Sequence, residues 1–369
     1  MKPLHLLYVI ALIACTLGLT TPATAGPYEE ARVAFDRGDY GTAVSLFLPL
    51  AKEGNGRAQT LLGYLYSTGN GTAQDDMEAV KWYQLAAAQG YPGAQFGLGV
   101  MYRSGQGVAQ DHEEEVKWYR LAGRQGNIDA QLQLGLIYAN AYGGVGKDDR
   151  EAIKWYRLAA DQGSAEAQNN LGSLYHSGRG VTRNPKEARD WYRRAADKGL
   201  AAAQYNLGLL YEEGDGVAAD NKEAARWYRA AAEQAMASAQ YRLGLLYEAG
   251  DGVAKDCSEA IKWYRRSADL GLAKAQTRMG QVHRYGCGGT RNSKEALKWY
   301  QLAATQGESR AQFELGEMYY TGDGVARNCE VAQKYVSLSL VGGRANVSLE
   351  DIHKLRDKVL GCVKSESRR

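Results

Sequence analysis

Proline, cysteine and phenylalanine are scarce in this chain: its 369 residues hold six prolines, five cysteines and four phenylalanines. With so few prolines and no low-complexity stretch, there is no linker at which to cut it into domains. An excess of one charge is lacking too. The 45 Lys and Arg are interleaved with 42 Asp and Glu, a net charge of +3, which implies neither a nucleic-acid nor an anionic-membrane surface. No C-x-x-C exists, and His112, His176, His283 and His353 are scattered, so zinc-ligand spacing is excluded and no metal is expected. His112-Glu113-Glu114-Glu115 lacks the second His of a zinc-protease helix, and neither G-x-S-x-G nor Ser-x-x-Lys occurs. No catalytic residue and no cofactor can be nominated, and the reading is non-enzymatic.

What is present is a period. All seven tryptophans open Trp-Tyr pairs, at Trp82, Trp118, Trp155, Trp191, Trp227, Trp263 and Trp299, 36 residues apart with one interval of 37. Ala-Gln pairs keep the same rhythm from Ala58 to Ala311. A period of this size means stacked supersecondary units rather than one globular core. In the unit from Ala203 to Ala235, the pattern A-Q-x-x-L-G-x-x-Y predicts a first helix, A, from Ala203 to about Glu213. Glycine inside a helix costs about 1 kcal/mol against alanine, so Gly208 and its equivalents predict close approach of a partner helix. The G-x-G-V that follows, as in Gly214-Asp215-Gly216-Val217, predicts a loop with positive φ. With no preceding strand and no third glycine it is not a dinucleotide cradle.

The second helix, B, opens on Asp or Asn with Glu three residues on, from Asp75/Glu78 to Asn292/Glu295. That is a capping box, in which each side chain takes an orphan N–H of the helix start. Helix B ends at a glycine suited to the left-handed exit, except at Ala235, where a less well-defined end is expected. One extra residue between Tyr142 and Gly146 predicts a bulged third loop, and Lys334-Tyr335 is expected in place of Trp-Tyr in the eighth unit.

Together these elements resemble Sel1-like repeats, relatives of the tetratricopeptide repeat with a longer internal loop. The resemblance implies an all-α protein, a right-handed α/α superhelical solenoid of about eight 36-residue helix-loop-helix repeats. It also implies adaptor or scaffold work, in bacteria often periplasmic, at the envelope or directed at a host. A cysteine-rich branch linked to penicillin binding makes a cell-wall or β-lactam-active enzyme the alternative, although that branch carries two cysteines in each repeat and this chain does not.

Along the chain, Met1 to Ala25 has a positive start, an apolar run and Ala23-Thr24-Ala25 before Gly26, which reads as a signal peptide and export to the periplasm or beyond. The run is too short for a transmembrane segment. A second reading takes Leu12-Ile13-Ala14-Cys15 as a lipoprotein box with a lipid anchor on Cys15. Residues 26–57 are expected to form an N-terminal helical hairpin, 58–343 the eight repeats, and 344–369 a closing helix and tail with Val347, Ile352, Leu355, Val359 and Leu360 inward and Ser348 as cap.

The other four cysteines, Cys257, Cys287, Cys329 and Cys362, favour disulfides in an exported chain. Cys257 and Cys329 hold one position two repeats apart, and each repeat advances by at least about 8–10 Å. A bridge needs Cα atoms within about 7 Å, which leaves Cys257–Cys287 and Cys329–Cys362. Four unpaired thiols are the rival reading.

Binding is expected on the concave face of the solenoid, lined by helix A. The core takes the Ala, the Leu, the residue before Tyr, and Tyr itself. The residues after Gln, after Gly and after Tyr then face the groove, and several are apolar: Phe96, Val100, Leu132, Leu136, Tyr205, Leu209, Tyr241 and Leu245. Either they form an exposed stripe for a protein or peptide partner, or neighbouring A helices bury them. Arg103, Glu212 and Glu248 belong to the same face, the two acids forming with Glu213 a patch suited to a basic segment.

Overall fold

The structure is a computed structural model and describes residues 26–287, 291–341 and 347–366. The expected signal segment and Cys15 lie outside these residues. The described chain is all-helical, an α/α repeat array of solenoid type in two units, Met1–Asn127 and Ile128–Arg369. In the first unit a hairpin of α1 (Pro27–Asp36) and α2 (Tyr40–Lys52) precedes two helix pairs, α3 (Gly56–Thr68) with α4 (Asp76–Ala88) and α5 (Pro92–Ser104) with α6 (His112–Arg124). The second unit holds six further pairs: α7 (Ile128–Asn140) and α8 (Asp149–Asp161), α9 (Ala165–Ser177) and α10 (Pro185–Asp197), α11 (Ala201–Glu213) and α12 (Asn221–Glu233). These continue as α13 (Ala237–Ala249) and α14 (Cys257–Asp269), α15 (Ala273–Tyr285) and α16 (Ser293–Thr305), α17 (Ser309–Thr321) and α18 (Cys329–Val341). Helix α19 (Leu349–Glu366) follows. Odd-numbered helices from α3 to α17 are A helices, and their even-numbered partners are B helices.

The helix-A glycine does what its cost demands. A Cβ on Gly208 would lie 2.6 Å from the Tyr228 ring, and one on Gly244 equally close to Tyr264, so the second aromatic of each Trp-Tyr pair lies directly on the glycine. In the eighth repeat it is Val336 that meets Gly316. The equivalent of Trp-Tyr is therefore Tyr335-Val336, and the expected register of Lys334-Tyr335 is off by one. The tryptophans themselves are core, with only Trp118 half-buried: Trp227 packs with Tyr192 of the preceding repeat and Leu207 of its own, and Trp263 likewise with Tyr228 and Leu243. Apart from Tyr138, the helix-A tyrosines are less buried than expected. Tyr211 and Tyr247 are half-buried, because their hydroxyls reach the rim, where Arg193 and Arg229 of the preceding B helices donate to them.

Both glycines of the loop have positive φ, 69° at Gly214 and 74° at Gly216. The first ends helix A in the left-handed region. The second has no room for a side chain, since its Cβ would lie 2.5 Å from the Pro185 carbonyl carbon at the start of the preceding B helix. The caps use half of the expected box. Asp220 accepts from the N–H groups of Lys222 and Glu223, but the N–H of Asp220 donates to the Tyr211 carbonyl at 2.9 Å. The Glu is thereby released from capping and pairs with a cation three residues on, as Glu259 does with Lys262 at 2.5 Å. In the third repeat the equivalent cap bond runs from Asp148 to Tyr138, one residue more than elsewhere, so the loop absorbs the insertion. At Ala235 the end of α12 is as well formed as its equivalents, with Ala235 itself held at φ 61°.

One alanine column, including Ala79, Ala152, Ala188 and Ala224, is fully buried between the helices of each pair. Glu115 takes this position in the second repeat, 1% exposed, with His112 Nδ1 2.7 Å from its carboxylate. Burial raises the pKa of that carboxyl above the ordinary value. In the second unit, Val347, Ile352, Leu355 and Val359 of the closing segment pack on Ala332 and Val336, with the Ser348 hydroxyl accepting from the Asp351 N–H at 3.0 Å.

Candidate functional site: the helix-A face

In the first unit Phe96 is not a surface residue. It is 7% exposed and stacks on Tyr119 at 5.4 Å between ring centroids, while Val100 and Arg103 are half-buried. In the second unit Leu132, Leu136, Tyr205, Leu209, Tyr241 and Leu245 are all half-buried. Tyr205 and Tyr241 tilt over the core tyrosines Tyr228 and Tyr264 at 5.7 and 6.0 Å. Each ring rests against the core and stays part-exposed. The outcome lies between the two expectations, since this row is neither solvated nor enclosed.

The expected acidic patch is already engaged. Glu212 accepts from the Tyr228 hydroxyl and pairs with Arg242 of the next repeat at 3.2 Å. Glu248 accepts from Tyr264 at 2.5 Å and pairs with Arg278 at 3.6 Å. Burial, and then the bond to the carboxylate, pushes both phenols well above the usual tyrosine range. Glu213 alone of the three is exposed. Further along, the sense reverses. Arg284 is the cation, its side chain 8% exposed, and donates to the fully buried Glu314 at 2.7 Å and to Glu317 and Asp323. Glu314 also receives Arg310 and the Tyr285 hydroxyl.

Beside this network a pocket of about 340 Å³ opens between α13, α15 and α17, lined by Tyr241, Lys274, Thr277, Arg278, Gln281, Glu308 and Arg310. A second, of about 220 Å³, shares Arg278, Gln281 and Arg310 with it and reaches Cys287. Cys287 is bonded to Cys257, and Cys329 to Cys362, with Cα separations of 5.7 and 5.9 Å. The pairing is the one left by elimination, and it braces the last repeats and α19. Among the described residues no cluster of His, Cys, Asp and Glu could hold a metal ion, and no helix is long and apolar enough to cross a membrane.

The glutamine of each Ala-Gln pair was given no role by the sequence, yet it is buried in every repeat. Gln276 donates to the Ala268 carbonyl at the end of the preceding B helix at 3.2 Å, and its Oε1 accepts from Gln306 at the end of its own B helix at 2.8 Å. The same pair recurs as Gln89 with Gln59 and Gln234 with Gln204. Where Leu270 stands in place of the second glutamine, Gln240 Oε1 is buried with no partner.

The Sel1 repeat model matches eight consecutive segments from residue 56 to residue 339. A solved structure of a protective antigen present in uropathogenic Escherichia coli strains and displaying an SLR fold is 33% identical over 85% of this chain and 75% of its own, with a TM-score of 0.68. A Sel1 repeat protein from Oxalobacter formigenes is 28% identical over 90% of this chain and 95% of its own, with a TM-score of 0.65. No curated protein matches the chain.

Proposed function

The chain belongs to the Sel1 repeat family, whose members are generally protein-interaction scaffolds and typically non-enzymatic, and we propose that it holds an extended segment of a partner protein along the helix-A face of its second unit. The observation that carries this reading is the half-buried row of Tyr205, Leu209, Tyr241 and Leu245. Each offers one apolar side while the core fixes the other, so little side-chain entropy is lost when a partner covers them. Flanking ion pairs such as Glu212–Arg242 give the row a polar rim, the arrangement of a binding surface. Two disulfides suit an oxidising compartment, and with the signal-type segment at residues 1–25 they support export to the periplasm or beyond.

Photo-cross-linking from single positions of the full chain in native extract tests the reading. A benzophenone side chain at Leu209 or Leu245 is expected to capture one partner band, and the same group at Leu158 or Leu302, exposed on B helices, is expected to capture none. Equal capture from both sets, or capture from the B helices alone, moves the interface elsewhere.

A further inference from the structure

Cys257 and Cys329 hold one position two repeats apart, each the first residue of a B helix, α14 and α18, and each is bonded to a later cysteine. Their surroundings differ. Cys329 and its partner Cys362 are 0% and 6% exposed, and Arg327 donates to the Cys362 sulfur at 2.9 Å. Cys257 and Cys287 are half-buried, flanked by the exposed Asp256, Ser258 and Gly286, and the pocket of about 220 Å³ reaches Cys287. We propose that Cys287 is a modification site, at which a small thiol exchanges with the Cys257–Cys287 disulfide while the Cys329–Cys362 bond stays closed.

The step is a thiol–disulfide exchange. The incoming thiolate attacks Cys287 Sγ, the bond to Cys257 breaks, and its electron pair leaves on the Cys257 sulfur as a second thiolate. Cys287 then carries a mixed disulfide with no net oxidation, and attack by the Cys257 thiolate on Cys287 expels the small thiol and restores the bridge. Position sets the direction. Cys287 lines the pocket, whereas Cys257 stands at the N-terminus of α14, where the helix dipole stabilises a thiolate and makes it the better leaving group. Two acids share that turn, but Asp256 accepts from the Ser258 and Glu259 N–H groups, and Glu259 pairs with Lys262. Cys329 opens α18 in the same way, so access, not the helix start, separates the two bonds.

The exchangeable bond lies at a junction of the fold. The second loop glycine of other repeats rests on the first residue of the preceding B helix, as Gly216 does on Pro185 and Gly324 on Ser293. In repeat seven Cys287 ties the loop to that residue, Cys257, by a covalent bond. The loop also follows its own path, since Gly286 leaves α15 at φ 86° and ψ 137°, away from the left-handed exit of Gly250 at φ 81° and ψ 31°. Exchange therefore releases the covalent tie at a junction that packing closes in repeats five and eight.

The test treats the full oxidised chain with reduced glutathione at mildly alkaline pH, quenches with acid, alkylates the free thiols and maps the peptides by mass spectrometry over time. A glutathione adduct on Cys287 with an alkylated Cys257 is expected first, forming at least about tenfold faster than any product of Cys329–Cys362, because a buried bond reacts only after local opening. Helical circular dichroism is expected to stay unchanged while the adduct forms. Equal rates at the two bonds, first adducts on Cys257, no adduct, or adducts that appear only as the helical signal is lost would each overturn the proposal.

Discussion

Repeats five and six and repeats seven and eight put a charged pair at the same two positions, one on each of two successive A helices, and write it in opposite senses. Glu212 faces Arg242, with side chains 25% and 35% exposed, whereas Arg284 faces Glu314, 8% and 0% exposed. The repeat geometry therefore fixes where the partners sit, and the local sequence chooses sign and depth. Depth decides the energetics. An exposed pair is worth about 0–1 kcal/mol, while removing one partner of a buried pair leaves an uncompensated charge and costs about 3–5 kcal/mol.

The sharpest way to break the comparison is to truncate each arginine. Arg284→Ala is expected to destabilise the protein by about 3 kcal/mol or more in urea titration, and Arg242→Ala by less than about 1 kcal/mol. Similar losses would mean that the two pairs are energetically alike despite their burial. Reduction of the disulfides sharpens the same contrast, because repeats four and five hold no cysteine. Dithiothreitol is expected to lower the stability of the last repeats by about 3 kcal/mol per bridge. Hydrogen exchange would then accelerate in α14 to α19 and stay unchanged in α9 to α12.

The glutamine pairs give a smaller, signed pair of effects. Gln306→Leu strands Gln276 Oε1 and is expected to cost about 1–3 kcal/mol, whereas Leu270→Gln supplies the missing donor to Gln240 and is expected to stabilise by about 1 kcal/mol. Smallest is Ala235→Gly. A non-glycine residue in the left-handed region costs about 1–2 kcal/mol, partly offset by the added freedom of glycine in the unfolded chain. A gain of about 0.5–1 kcal/mol in the urea midpoint analysis is expected, and a loss would show that Ala235 is unstrained.

Much of this architecture could be read from the sequence because each repeat states the same local chemistry again. The period gave the helix pairs, the recurring Gly208 position gave the close contact, and the Asp caps gave the B-helix starts. Even the cysteine partners followed, since packing distance eliminated the other pairings. What escaped was contact between repeats and between the ends of one. Gln276 with Gln306, Glu212 with Arg242 and Arg284 with Glu314 are all 30 residues apart. No helical or strand period has that spacing, so it is invisible to a local reading. A scan for complementary residues at the repeat length less six would have found them. Burial at Phe96 escaped for another reason: its position is half-buried in most repeats, whereas its apolar ring settles onto Tyr119.

The reversal of sign also governs which copying errors the gene could tolerate. Duplicating repeat six in place would set a copied Arg242 opposite Glu248 and a copied Glu248 opposite Arg278, with every pair matched. Duplicating repeat seven would set a copied Arg278 opposite Arg284, cation against cation, where Glu314 now lies buried. The array can therefore lengthen at repeat six by whole units, whereas repeat seven is a junction that admits one copy.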